Sequence, residues 1–196
     1  MSGYCTIAPG HPLHGPYHDS EYGFPAHDEA VLFERLVLEI NQAGLSWLTV
    51  LKKRAAFRAA FADFAVDRVA AFGPADIERL LADAAIVRNR AKIEAVIANA
   101  RRIQELRASH GSFDAWLEAH HPRPLDEWTR LFRRNFRFTG GLIVHEFLMS
   151  LGYLPGAHAQ DCPVHSRILA LAPPWSWARP AGAGAQDAKR DREDQH

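Results

Sequence analysis

The chain has 196 residues, with 23 Lys and Arg against 23 Asp and Glu, so its net charge is zero when its 11 histidines are neutral. That length fits one globular domain, and 47% apolar composition excludes global disorder. No stretch approaches the roughly 18 consecutive apolar residues of a membrane span, and Met1-Ser2-Gly3-Tyr4-Cys5 lacks the pattern of a secretory leader, so a cytoplasmic protein with no membrane partner is expected.

The predicted elements are helical almost throughout. Asp28 caps a helix from Glu29 to Ala43, in which Val31, Leu32, Phe33, Leu36, Val37 and Ile40 recur at helical spacing. Gly44 stops it. Ser46 then caps a helix from Trp47 to about Phe61, which is expected to expose Lys52-Lys53-Arg54. Short helices follow from Asp67 and from Pro74-Ala75-Asp76. A long helix runs from about Ala91 to Ser109, with Ile93, Val96, Ile97, Ala100 and Ile103 facing inward, and Gly111 ends it. Ser112 opens a short helix through Trp116, Pro122 and Pro124 break the chain, and Leu125 to Phe136 resumes. The last predicted helix, Leu142 to Leu151, is apolar on most sides and is expected to be central. No β-alternating run competes, so the fold class is all-α: one domain over residues 1–177, with residues 178–196 read as a disordered tail.

Neutrality alone weighs against a polyanionic partner, but the charge is segregated. Residues 1–51 carry −5, residues 52–107 carry +5, and residues 128–145 carry +4 from Arg130, Arg133, Arg134 and Arg137. Basic stretches of this kind form either a phosphate-binding face or an ordinary solvated surface.

Three constellations bear chemistry. Cys5 and His18 near one end, and His158 and Cys162 near the other, are two thiols and two imidazoles; His158 and Cys162 stand four apart, the spacing of one helical turn. The set suits a closed tetrahedral zinc site joining the terminal segments 1–27 and 150–177; the spacing also fits two buried thiols with surface imidazoles. Glu39 sits on a largely apolar helix, where a carboxylate must be paired, capped or used. Gln42, Trp47 and Tyr17 supply amide and aromatic groups suited to a flat heterocycle, and Leu45 sits at the tip of a tight turn, where an apolar side chain is costly to leave in water. Finally, Arg88, Arg90 and Lys92 at the start of the long helix could bind a phosphate, as could a merely basic surface.

Read together, Tyr17-His18-Asp19-Ser20-Glu21, the run from Glu39 to Trp47, Thr49-Val50-Leu51-Lys52-Lys53-Arg54, Phe136-Arg137-Phe138-Thr139-Gly140 and His158-x-x-x-Cys162 resemble the bacterial DNA-3-methyladenine glycosylase I family, of the helix-hairpin-helix superfamily and zinc-snap type. The resemblance spans Cys5 to Cys162. It implies a helix-hairpin-helix glycosylase fold with structural zinc on Cys5, His18, His158 and Cys162. Glu39 would read the damaged base between walls formed by Tyr17 and Trp47. Leu45, presented by Gly44, would plug the duplex, and residues 85–91 would grip the DNA backbone with Arg88, Arg90 and Lys92. The partner implied is double-stranded DNA containing alkylated adenine, and the protein a monomer. The reaction implied is flipping and hydrolytic excision of 3-methyladenine (EC 3.2.2.20) without a lyase step. Ile7 and Tyr22 stand where the family commonly has tryptophan, and Ala85 where its hairpin usually has glycine. Ile7 and Tyr22 also support an alternative, a zinc-stapled module that binds damaged DNA without cleaving it.

Overall fold

A computed structural model describes residues 3–177. The expectation for residues 178–196 falls outside the described residues. Among the described residues there is no strand, and the α-helices run in the order α1 (Gly3–Ile7), α2 (His14–Ser20), α3 (Glu29–Gln42), α4 (Trp47–Ala60), α5 (Val66–Ala70), α6 (Pro74–Ala82), α7 (Arg90–His110), α8 (Phe113–Ala119), α9 (Leu125–Asn135), α10 (Gly141–Ser150) and α11 (Pro163–Leu169). The helices from α3 to α10 fall within a few residues of their predicted spans. The expected caps are present: Asp28, Ser46 and Ser112 each accept a backbone N–H three residues on, which satisfies a donor left free by the first helical turn. Asn89 caps α7 in the same way.

Helix α3, not α10, is central. It packs against α4, α7, α8 and α10, and every residue from Leu32 to Asn41 is buried. The expectation for α10 needs correcting because only one of its faces reaches the core. Ile143, Val144, Phe147 and Leu148 point inward, whereas Leu142, His145 and Glu146 form the i, i+3, i+4 stripe left outside it. Aromatic side chains bind α8, α9 and α10 together: Trp116 and Phe132 are in contact, and Phe147 of α10 meets Phe113 and Phe132.

One ion-pair cluster brings a charged residue into this core. Glu34 on α3 is buried, and its carboxylate accepts from Arg54 and Arg58 of α4. Arg54 also forms a two-point pair with Glu21, so the expected exposed Lys52-Lys53-Arg54 surface is reduced: Arg54 locks α4 onto α3, and Lys53 donates to the carbonyls of Ala84 and Ala85. The loop between α6 and α7 is built without glycine. Asp83 accepts the amide of Ala85 at 2.8 Å, and no residue from 83 to 89 has positive φ, so alanine at position 85 is unstrained.

The α3–α4 turn does need glycine. Gly44 has φ +83° with open space where a Cβ would stand, so the left-handed backbone alone makes a side chain unfavourable there. Gly23 combines φ +83° with crowding: a Cβ would meet Ala157 at 2.8 Å. Its amide donates to Ser150 at the end of α10, drawing the chain after α2 against the C-terminal segment.

Candidate functional site

The four expected ligands converge although 153 residues separate Cys5 from His158. All four are buried, and their donor atoms lie within 4.8 Å of one another. Cys5 Sγ and Cys162 Sγ lie 3.8 Å and 3.6 Å from His158 Nδ1, and Cys162 Sγ lies 3.8 Å from His18 Nε2. A tetrahedral ion with bonds of about 2.3 Å to sulfur and 2.0–2.1 Å to nitrogen separates such donors by roughly 3.6 Å, so the cluster has the right size. The outer ring nitrogens have partners as well. His158 Nε2 lies 2.8 Å from the Tyr22 carbonyl oxygen, and His18 Nδ1 lies 2.7 Å from the Asp19 carboxylate. Such acceptors hold the proton on the outer nitrogen and leave a lone pair on Nδ1 of His158 and Nε2 of His18, directed at the thiols. Burial, the largest influence, also lowers the His158 pKa, which favours the neutral form a metal requires.

One local expectation fails here. Residues 158–162 form no helical turn; they are a reverse turn in which the amide of Cys162 donates to Ala159, and Cys162 caps α11. Pro163 at the first helical position starts the helix only after the ligand pair.

Beside this cluster lies a cavity of about 310 Å³ lined by Tyr4, Tyr17, Tyr22, Glu39, Gln42, Trp47, Leu142 and Glu146. Tyr17 comes from α2, Glu39 and Gln42 from α3 and Trp47 from the start of α4, so three elements bring the predicted residues together. Tyr17 and Trp47 meet with ring centroids 5.1 Å apart, and Tyr17 and Tyr22 at 5.7 Å. Ile7, 61% exposed, is not part of the lining; the aromatic wall near Cys5 is Tyr4, in edge contact with Tyr22.

Glu39 is only 5% exposed, yet no described side chain donates to its carboxylate. Burial pushes its pKa up to about 8, the charge of Glu146 adds to the rise, and Arg35 one turn earlier on α3 opposes it. The contrast with Glu34 on the same helix is decisive, since Glu34 is equally buried but held by two arginines. Burial also raises Tyr17 and Tyr22, and pushes Tyr4 up to about 12, so the aromatic walls keep their phenolic protons.

Leu45, 37% exposed, projects from the Gly44 turn close to the cavity-lining Gln42, whose amide donates to the Leu45 carbonyl. Arg88, Arg90 and Lys92 do not act as one basic group. Arg88 is exposed; Arg90 pairs with Glu78 at 2.8 Å and with Glu94. Lys92, expected to face phosphate, is instead 6% exposed, and its ammonium donates to the carbonyls of Asn41 and Ala43 at the end of α3. A helix C-terminus carries unpaired carbonyls and partial negative charge, and this draws the lysine inward.

Sequence reasoning passed over Tyr4, Leu142 and Glu146. Glu146 was recoverable by the rule that singled out Glu39, because it too is a carboxylate within an apolar helical run. Tyr4 carried no pattern of its own beyond standing next to Cys5.

The family model described as methyladenine glycosylase matches residues 7–130. Across 81% of this chain and 94% of its own length, the DNA-3-methyladenine glycosylase 1 of Escherichia coli (strain K12) is 38% identical. The DNA-3-methyladenine glycosylase of Haemophilus influenzae is 32% identical over 83% of this chain and 98% of its own. Among solved structures, 3-methyladenine DNA glycosylase I from Staphylococcus aureus, described for its recognition of 3-methyladenine, superposes with a TM-score of 0.74 at 34% identity, covering 82% of this chain and 95% of that one.

Proposed function

The chain belongs to the methyladenine glycosylase family, and from that premise we infer that the cavity around Glu39 holds the alkylated base of DNA while its glycosidic bond is hydrolysed. The observation that carries this reading is the unpaired, buried Glu39 carboxylate facing an aromatic cavity beside an exposed leucine. The relatives are named for glycosylase activity, which favours cleavage over binding alone.

Adenine methylated at N3 is cationic, which already weakens its bond to the sugar. Leu45 enters the duplex from the Gly44 turn and fills the gap left by the extruded nucleotide, at an unstacking cost of a few kcal/mol that damage reduces. Tyr17 and Trp47 enclose the base, and the cation draws Glu39 into its ionised form, in which it accepts a hydrogen bond from the base edge, favouring the cation over neutral adenine. Water adds to the sugar carbon as the glycosidic electron pair leaves with the base. Among the described residues no lysine lines the cavity, and the ammonium of Lys92 is held at the end of α3, which favours hydrolysis without a lyase step.

Helices α6 and α7 with their connecting loop serve as the helix-hairpin-helix unit, which holds the DNA backbone with Arg88 at its edge. The partner is double-stranded DNA and the protein acts as a monomer; no helix among the described residues is long and apolar enough to cross a membrane. Cys5, His18, His158 and Cys162 would hold zinc, whose four protein ligands leave no open position, so its contribution is to tie the α1–α2 segment to the chain before α11.

The test is release of 3-methyladenine from methylated duplex DNA. Wild type releases the base and Glu39→Gln does so at least about a hundredfold more slowly, in the range of losing a principal electrostatic contact. Equal rates for the two would refute the reading.

A further inference from the structure

Glu39 is not alone in the cavity. Glu146 enters it from α10, on the stripe that α10 keeps out of the core. The hydroxyl of Tyr22 donates to one of its carboxylate oxygens at 3.1 Å, and His145 Nδ1 lies 3.4 Å from the other. A partly exposed glutamate would ordinarily sample many rotamers, but Tyr22 fixes this one, and Tyr22 is itself a wall of the cavity in edge contact with Tyr4. Thus the phenol of Tyr22 orients a second carboxylate.

Resting on the reading of the cavity as the base pocket, we propose that Glu146 is a second base-reading carboxylate, set by Tyr22, which makes the pocket selective for positively charged N-alkylated purines with hydrogen-bond donors on two edges. One carboxylate can recognise a donor edge whether or not the ring is charged. Two carboxyl groups sharing a small cavity resist ionising together while it is empty, and a cation removes that resistance where a neutral base cannot. Their coupling already shows in the empty site, where the Glu146 charge helps keep Glu39 protonated. The groups facing Glu39 are Arg35 on its own helix, Glu146 on α10, Tyr17 on α2, and Tyr4 and Tyr22.

The experiment measures kcat/KM for 3-methyladenine release from methylated duplex between pH 5 and 9 for wild type, Glu146→Gln, Tyr22→Phe and the double variant, with melting temperature recorded for each. At pH 9, above the Glu39 value of about 8, Glu146→Gln is expected to lose roughly 10- to 100-fold, the worth of a hydrogen bond to a charged group. Its acid limb should move to lower pH, because Glu39 then ionises without a neighbouring charge. Tyr22→Phe should lose less, and should cause no further loss when combined with Glu146→Gln, since its effect runs through Glu146. An active wild type with a Glu146→Gln variant unchanged in both rate and acid limb would overturn the proposal. A wild type that releases no 3-methyladenine would overturn the reading of the pocket instead.

Discussion

The ammonium of Lys92, at the start of α7, donates to the carbonyl oxygen of Ala43 at 2.7 Å and to that of Asn41 at 3.1 Å. The contact joins the α6–α7 unit to the turn that presents Leu45. Two elements assigned to DNA are therefore fixed relative to each other by one buried side chain, whose charge faces the negative end of α3.

Replacing Lys92 tests that role. Lys92→Met leaves two carbonyls without their donor and should cost about 1–3 kcal/mol of stability. Affinity for an abasic-site duplex should fall roughly tenfold as the turn loosens, with an unchanged slope of log K against log salt. A slope reduced by about one would show that the ammonium had been neutralising a phosphate.

The metal cluster makes a separate prediction. Purified protein should contain about one zinc per chain, and Cys162→Ser should lose it along with roughly 10 °C or more of melting temperature, because a closed site joining distant segments contributes to folding directly. A metal-free wild type as stable as the loaded form would exclude the assignment.

Much of this is legible in the sequence, and most of the failures share a cause. Helical periodicity and caps placed α3 to α10 because those signals are local. The rule that a carboxylate on an apolar helix must be paired or used applied equally to Glu34, Glu39 and Glu146, but only the fold shows which of them meets an arginine. Spacing suggested a helical turn between His158 and Cys162 where Pro163 delays the helix. Lys92 read as surface charge because its acceptors, the carbonyls ending α3, lie some fifty residues away in sequence. The turn before Cys162 is a local miss, set by the adjacent Pro163; the misreadings of Glu146 and Lys92 turned on long-range partners, which periodicity cannot register.

Glu39 should be a liability for stability. In the native protein its carboxyl is pushed up to about 8 from an ordinary 4.5, so the folded state holds a proton that the unfolded state has released. Stability from this group therefore falls as pH rises from about 4.5 to about 8, the reverse of a salt-bridged carboxylate. Glu39→Gln removes that penalty. It should melt several degrees above wild type at pH 9, corresponding to roughly 1–3 kcal/mol, and the difference should close near pH 4. Thermal melts at the two pH values, alongside the release assay, would show a variant that is more stable and inactive. A variant less stable than wild type at pH 9 would mean that the carboxylate is paired after all.

The charge distribution yields the last prediction. The basic stretch over residues 52–107 is largely neutralised within the molecule: Arg54 and Arg58 pair with Glu34, Arg79 with Asp76, Arg90 with Glu78, and Arg107 with Glu29 and Asp67. Lys53 and Lys92 are held by backbone carbonyls. Among the described residues, the bases left without an acidic partner include Lys52, Arg88, Arg133, Arg134 and Arg137, and a short DNA footprint reaches only some of them. Three or four phosphate contacts are expected, giving a slope of log K against log salt of about −3. Arg88→Ala should reduce that slope by close to one, and Arg90→Ala by less, since Glu78 and Glu94 already hold its guanidinium. A wild-type slope near −10 would require these ion pairs to open on DNA, and would show that the neutral composition conceals a much larger phosphate-binding face.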